Sequence, residues 1–249
     1  MKSRAVAILG MHRCGTSMAA RIVNLLGAYL GRKEDLMGPA YDNEAGFWER
    51  WDLMEFHDKA LQSMGRTWDD PSPMPDWGAL SQARSLEREL IAKIEDVFTG
   101  QPLWAFKDPR ACLLLPLWKN ALSALNIDWQ IVAAVRNPVD SIGSLARRNE
   151  YSWEKCCALW ELHYRQVLDH IRETPHVIVL FEELCNAPAV QIAKLASALE
   201  IDVDEKALEN AARSIRPDLI HNHSKEKYRL PAQVEETYGR LRKKALSLK

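Results

Sequence analysis

The chain has 249 residues, 47% of them hydrophobic, which is enough to fill one sizeable core, and a single domain spanning residues 1–249 is expected. Thirty-three Lys and Arg stand against 34 Asp and Glu, a net charge of −1. That balance excludes the diffuse basic surface of a nonspecific nucleic-acid binder, so any positive charge used in binding must be local.

The first predicted element is a strand over Ala5–Leu9, continuously apolar as expected for a parallel strand covered on both faces. Gly10 permits a sharp turn after it, and Gly15-Thr16-Ser17 opens a helix whose Met18, Ile22, Val23, Leu25 and Leu26 share one face. Unpaired N–H groups and the positive dipole end of that helix then point back into the loop, the arrangement of an anion-binding site. The spacing from Gly10 through Gly15 to Ser17 fits the phosphate-loop pattern GxxxxGK[ST] except that Thr16 replaces the lysine, while Arg13 supplies a cation within the loop.

Further along, Glu34, Asp35, Glu44 and Glu49 follow the first helix, and Trp48, Trp51 and Trp68 cluster in the same part of the sequence. Asp69–Asp76 is too proline-dense for a regular element and reads as a turn-rich insertion, either bordering a binding site or inert. A helix is predicted near 82–98, then a short strand from Leu103 that ends in Lys107-Asp108-Pro109-Arg110, then a helix near 112–125.

Ile131–Val135 is another apolar strand and runs into Arg136-Asn137-Pro138. Asn137 caps a helix over 139–148 and Pro138 takes its first position, which leaves Arg136 at the strand's carboxyl end and Ser144 about two turns into the helix. Arginine offers a planar fork of donors to a phosphate, and a serine hydroxyl closes the same anion from another side. Helices near 153–173, 188–199, 204–214 and 231 to the end flank a last strand, Val177–Leu180, that leads to Glu182 and Glu183, read as structural or solvent-facing.

His12-Arg13-Cys14-Gly15-Thr16-Ser17 resembles the 5′-phosphosulfate loop of sulfotransferases that use 3′-phosphoadenosine 5′-phosphosulfate (PAPS), whose usual form is Pro-Lys-Ser-Gly-Thr-Thr, with Arg13 where that family has lysine. Arg136 and Ser144 resemble the family's 3′-phosphate motif, and Lys107-Asp108-Pro109-Arg110 resembles the lysine-bearing strand end of its bacterial members. The likeness runs from about Ala5 to Leu184. It implies an α/β fold of three layers, P-loop in type, with a central, mainly parallel sheet flanked by helices.

It also implies a donor site built from Arg13, Cys14, Gly15, Thr16, Ser17, Arg136 and Ser144, with Arg13 and Lys107 acting on the transferring sulfuryl group. Cys14 stands where the family has serine, and packing is the role read for it. Cytosolic small-molecule members place a catalytic histidine two residues after the lysine; Pro109 stands there, so a carboxylate base is expected. Distance from the first helix favours Glu34. The Asn43-Glu44-Ala45-Gly46-Phe47-Trp48-Glu49 element, similar to one in bacterial relatives, favours Glu49 narrowly.

The expected activity is transfer of a sulfuryl group from PAPS to a hydroxyl, less readily an amine, of a carbohydrate or other hydroxylated acceptor, leaving 3′-phosphoadenosine 5′-phosphate (PAP). No obligatory metal is expected, because the sulfuryl group carries less negative charge than a phosphoryl group. Two alternatives stay open: a nucleotide-dependent kinase with a divergent loop, and a catalytically silent nucleotide binder. Neither the acceptor nor an oligomeric state is read from the sequence. Five cysteines without CxxC spacing indicate neither a disulfide framework nor a zinc site, and His57, His163, His221 and His223 form no metal signature. No apolar run approaches 18 residues and Met1–Arg4 leads straight into the first strand, so a cytoplasmic protein is expected.

Overall fold

The computed structural model describes residues 3–41, 43–216 and 228–246; His221, His223 and the last three residues of the helix predicted from 231 lie outside them. The elements in chain order are β1 (Arg4–Leu9), α1 (Thr16–Leu25), α2 (Trp51–Ser63), α3 (Ala83–Phe98), β2 (Leu103–Lys107), α4 (Leu115–Ala124), β3 (Asp128–Val135), α5 (Pro138–Asn149), α6 (Trp153–His170), β4 (His176–Leu180), α7 (Phe181–Asn186), α8 (Pro188–Ala198), α9 (Glu205–Arg213) and α10 (Ala232–Leu246).

The four strands form one parallel sheet in the order β2-β1-β3-β4, so β1 is central and hydrogen-bonds on both sides. Its side chains alternate between two cores. Ala5, Ala7 and Leu9 join Phe56, Leu90, Trp118 and Trp160 on one face, while Val6 and Ile8 join Ile22, Val23, Ile192 and Leu195 on the other. This is the three-layer α/β arrangement expected from the sequence, and every strand pair in it is parallel.

Helix α2 was not among the predicted elements, although Leu53, Phe56, His57, Ala60 and Leu61 bury one face at helical spacing. A histidine inside that stripe and charged residues between its members obscure the period. The helix predicted from 112 begins regularly only at Leu115. Pro109 and the Asp108 side chain, which accepts from Arg110 N at 2.9 Å, first wind Pro109–Leu114 into a tight 3₁₀ turn.

The turn-rich segment is pinned: Asp69 Oδ2 accepts from Tyr151 OH at 2.7 Å and from Lys155 Nζ at 2.8 Å, and Arg66 reaches Asp70 Oδ2 at 2.5 Å. Among the described residues no helix is long and apolar enough to cross a membrane.

Candidate active site

All four strands end on the same side of the sheet, where ligands of open parallel sheets bind. β1 delivers the Gly10–Gly15 loop, β2 Lys107, β3 Arg136 and β4 Phe181. A cavity of about 250 Å³ lies between them, lined by Arg13, Gly15, Thr16, Ser17, Lys107 and Arg136 together with residues the sequence did not point to.

The loop has the shape its glycines permit. Gly10 has φ +150°, and a Cβ there would fall 2.6 Å from the Ala134 carbonyl oxygen. Gly15 caps α1 at φ +85°, where a Cβ would fall 2.5 Å from Phe181 Cδ2. Arg13 holds a left-handed φ of 70° with a full side chain, a conformation that costs about 1–3 kcal/mol and tends to mark functional sites. The first-turn N–H groups of α1 have no carbonyl behind them within the helix and face the cavity.

Arg13 Nε donates to Ser144 Oγ at 3.0 Å, across 131 positions of sequence. The two motifs read separately from the sequence are therefore joined by a direct hydrogen bond. Arg136 stands over the Phe181 ring at 4.8 Å, and the Asn137 N–H beside it is fixed by Glu182 Oε1 at 2.8 Å, which gives Glu182 a structural task. Asn137 Oδ1 accepts from Val139 N at 3.0 Å, the cap expected from the sequence.

The side chain of Cys14 does not line the cavity. It is buried in the core, burial pushes its thiol up, and its own N–H closes a turn onto the Met11 carbonyl at 3.2 Å. Thr16 is buried at the helix start. Ser17 Oγ donates to the Phe47 carbonyl at 3.2 Å and accepts from Asn43 Nδ2 at 3.1 Å and Lys107 Nζ at 3.4 Å.

The four carboxylates considered as bases separate clearly. Glu34 is exposed on the 3₁₀ turn Lys33–Asp35, away from the cavity lining. Asp35 is engaged by Arg32 at 2.9 Å and Arg50 at 3.3 Å. Glu44 is an exposed member of the cavity wall. Glu49 alone meets Lys107: its Oε1 pairs with Lys107 Nζ, both residues are buried, and Arg110 Nη1 lies 3.9 Å from Oε2. Burial pushes the Glu49 carboxyl up, and the Lys107 and Arg110 charges only partly oppose it.

The tryptophans also divide. Trp48 lines the cavity, with the Arg21 guanidinium 4.6 Å from its ring. Trp51 is half exposed at the start of α2, and Trp68 packs on His12 with ring centroids 4.5 Å apart.

Sequence reasoning did not reach Arg21, Arg148, Arg216 or Phe181, each from a different element and all on the cavity wall. Arg21 was legible in principle, one helical turn after Ser17; the other three carry no local signal. His12 was likewise passed over. Its Nε2 is buried with no hydrogen-bond partner, and burial together with Arg148, Arg110 and Lys107 holds the imidazole well below its usual range.

A parallel sheet whose strand ends carry a glycine-bounded, cation-lined anion cavity defines an α/β protein built to hold a phosphorylated ligand. A family model described as the sulfotransferase family matches residues 5–205, most of the chain. The chain belongs to that family. Among solved structures it is similar to a sulfotransferase domain from the curacin biosynthetic pathway, at TM-score 0.55 and 12% identity, covering 97% of this chain and 98% of that one. A sulfotransferase domain from the Synechococcus PCC 7002 olefin synthase gives TM-score 0.56 and 16% identity over 98% and 95%. Sulfotransferase STF9 from Mycobacterium avium gives 0.54 and 14% over 99% and 76%. At these identities the likeness is one of fold. A comparison with curated protein sequences gives no match.

Proposed function

We propose that this sulfotransferase takes PAPS as donor and moves its sulfuryl group to a hydroxyl of an acceptor, with PAP as the other product. The observation that carries the reading is the Arg13–Ser144 hydrogen bond, which joins the phosphate loop to the Arg136 helix in one cavity. Among the described residues six cations, Arg13, Arg21, Lys107, Arg136, Arg148 and Arg216, line it against one acid, Glu44, as a ligand with several negative groups requires. Bound PAPS supplies an activated sulfuryl group.

The first-turn amides of α1 and the Thr16 and Ser17 hydroxyls hold the 5′ end of the donor, and Arg136 with Ser144 holds the 3′-phosphate. Trp48 and Phe181 offer aromatic faces to the purine. Arg13 and Lys107 stabilise charge on the sulfuryl and leaving oxygens, and Glu49, paired with Lys107 Nζ, takes the acceptor's proton. Carbohydrate is the acceptor class to screen first. With Trp48 on the donor cavity, that choice rests on Trp51 and Trp68, whose flat apolar faces suit stacking on a sugar ring.

A kinase reading has to do without a lysine at Thr16, and it leaves Arg136 and Ser144 with no 3′-phosphate to hold. The deciding measurement is thermal stabilisation by PAP beside ATP with magnesium and AMP. PAP at about 100 times its Kd is expected to contribute about 2.7 kcal/mol and raise the midpoint by about 5–10 °C. Stabilisation by ATP with magnesium alone would move the kinase to first place. Tight PAP binding without transfer to any acceptor, undisturbed by Arg13→Ala or Lys107→Ala, would leave a silent binder.

A further inference from the structure

The Lys107–Glu49 pair is the front of a longer buried chain. Behind it, Asp108 Oδ1 accepts from Arg110 N at 2.9 Å and from Arg110 Nη1 at 3.1 Å. Its other oxygen, Oδ2, lies 2.8 Å from His57 Nδ1. Trp118 Nε1 donates to His57 Nε2 at 3.0 Å, so that nitrogen carries no proton and Nδ1–H is the donor to Asp108. Arg110 continues to Asp58 Oδ1 at 2.5 Å and to within 3.9 Å of Glu49 Oε2. His57 and Asp108 are 0% and 2% exposed, so the chain is closed to solvent on the His57 side, while Asp58 is partly exposed.

Two carboxylates thus meet Arg110, and the structure treats them oppositely. Asp108 has its oxygens occupied by three donors, whereas Glu49 meets Lys107 and a distant Arg110. We infer that Asp108 is a positioning residue for Glu49: its fixed negative charge, held by His57 and Arg110, offsets the two cations and leaves Glu49 able to accept the acceptor's proton. This rests on the reading of Glu49 as base. In the step it serves, the acceptor O–H proton passes to a Glu49 oxygen, the acceptor oxygen bonds to sulfur, and the sulfur–oxygen bond to the nucleotide phosphate breaks with its electron pair on PAP.

The titration behaviour agrees with this division. Burial pushes Glu49 up and the neighbouring Asp108 charge pushes it the same way, while Lys107 and Arg110 pull it down. Burial also works to raise Asp108, but Arg110 and the His57 hydrogen bond outweigh it and hold that carboxyl well below the usual range. Environments that drive two neighbouring carboxyls apart are how acid and base roles are divided.

Among the described residues the other titratable groups near the pair are Asp58 and His57 on α2, His12 in the loop, Cys112 in the tight turn and His163 on α6. Burial holds His12 low and brings His163 to about 4, so at neutral pH neither histidine adds charge.

The test is Asp108→Asn, which keeps the shape and removes the charge. An infrared pH titration of the free protein follows the protonated-carboxyl band of Glu49, identified by its loss in Glu49→Gln, and PAP release from PAPS is measured over the same pH range. In the wild type Glu49 is expected to protonate above the ordinary glutamate range. In Asp108→Asn the midpoint falls by about one pH unit, the acid limb of the rate profile moves with it, and kcat falls more than KM for PAPS rises.

A Glu49 midpoint unmoved in Asp108→Asn, with PAP still stabilising the variant, overturns the inference. Should that variant fail to fold, the wild-type titration decides alone, since a Glu49 that protonates at or below the ordinary range overturns it too. If PAP stabilises none of these proteins, the donor reading falls, and with it the role given to Glu49.

Discussion

Two groups of cations meet at Lys107 and are built in opposite ways. On the cavity side, six cations share a wall with one acid, Glu44, among the described residues. On the inner side, Lys107 and Arg110 face Glu49, Asp108 and Asp58 within a few ångströms. The first arrangement keeps a positive potential for a ligand; the second cancels it with buried partners. The backbone differs too, because Arg13 and Trp48, two of the non-glycine residues held at positive φ, line the cavity, whereas on the inner side Lys107 ends β2, Asp58 lies in α2 and Arg110 in the tight turn. A chain with a net charge of −1 can therefore hold a strongly anionic ligand by setting acids such as Asp108 and Asp58 against Arg110 and not on the cavity wall.

The largest expected break comes from Lys107→Ala, because Lys107 belongs to both groups. It leaves Glu49 buried without its close partner, a loss of about 3–5 kcal/mol of stability, and removes the proposed donor to the sulfuryl group, a loss of about 10²–10³ in kcat. Denaturant unfolding and PAP release measure the two effects separately. The double variant Lys107→Met, Glu49→Leu sharpens the comparison: apolar replacement of the whole pair is expected to recover the stability and leave transfer lost. If the double variant stays as unstable as the single one, the inner pair is not the source of the loss.

Arg136→Ala acts on the other group, so its signature is reversed. Unfolding without nucleotide is expected to change by less than about 1 kcal/mol, while PAP binding weakens by about 1.5–3 kcal/mol, roughly 10–100-fold. AMP, which lacks the 3′-phosphate, loses much less. Equal losses for PAP and AMP, seen by calorimetry, would remove Arg136 from the 3′-phosphate.

These two groups were unequally legible in the sequence. Local chemistry announced the loop at Gly10–Gly15, the Asn137-Pro138 cap and the placement of Arg136 and Ser144, because each is a short run whose spacing dictates its geometry. The parallel sheet was legible for the same reason: continuous apolar strands alternating with helical periods admit few other folds. Long-range convergence was not legible. Arg148 and Arg216 reach the cavity only because α5 and the segment after α9 pack where they do, and the His57–Asp108 contact joins residues 51 apart through a helix the period did not reveal. Of four carboxylates in the right stretch, spacing alone could not separate Glu49 from Glu34; in the structure Glu49 pairs with Lys107, whereas Glu34 is exposed on the Lys33–Asp35 turn.

The smallest effect belongs to the strap that carries Trp68 beside the loop. Asp69 accepts from Tyr151 and Lys155 through one oxygen and from Thr67 Oγ1 at 2.7 Å through the other. Partial burial works to raise its carboxyl, but the hydrogen bonds from Lys155, Tyr151 and Thr67 outweigh it and lower it from 3.8 to about 2. A carboxyl lowered in the folded state contributes its stability above the unfolded value and loses it as pH falls through the folded one. Asp69→Asn is therefore expected to cost under about 1 kcal/mol at neutral pH, since the pair is partly solvated. The difference from wild type should shrink between pH 4 and pH 2, and Trp68 fluorescence should report it locally, because Trp68 packs directly on His12. A difference that stays constant across that range would show that the strap is held by its packing and not by the Asp69 charge.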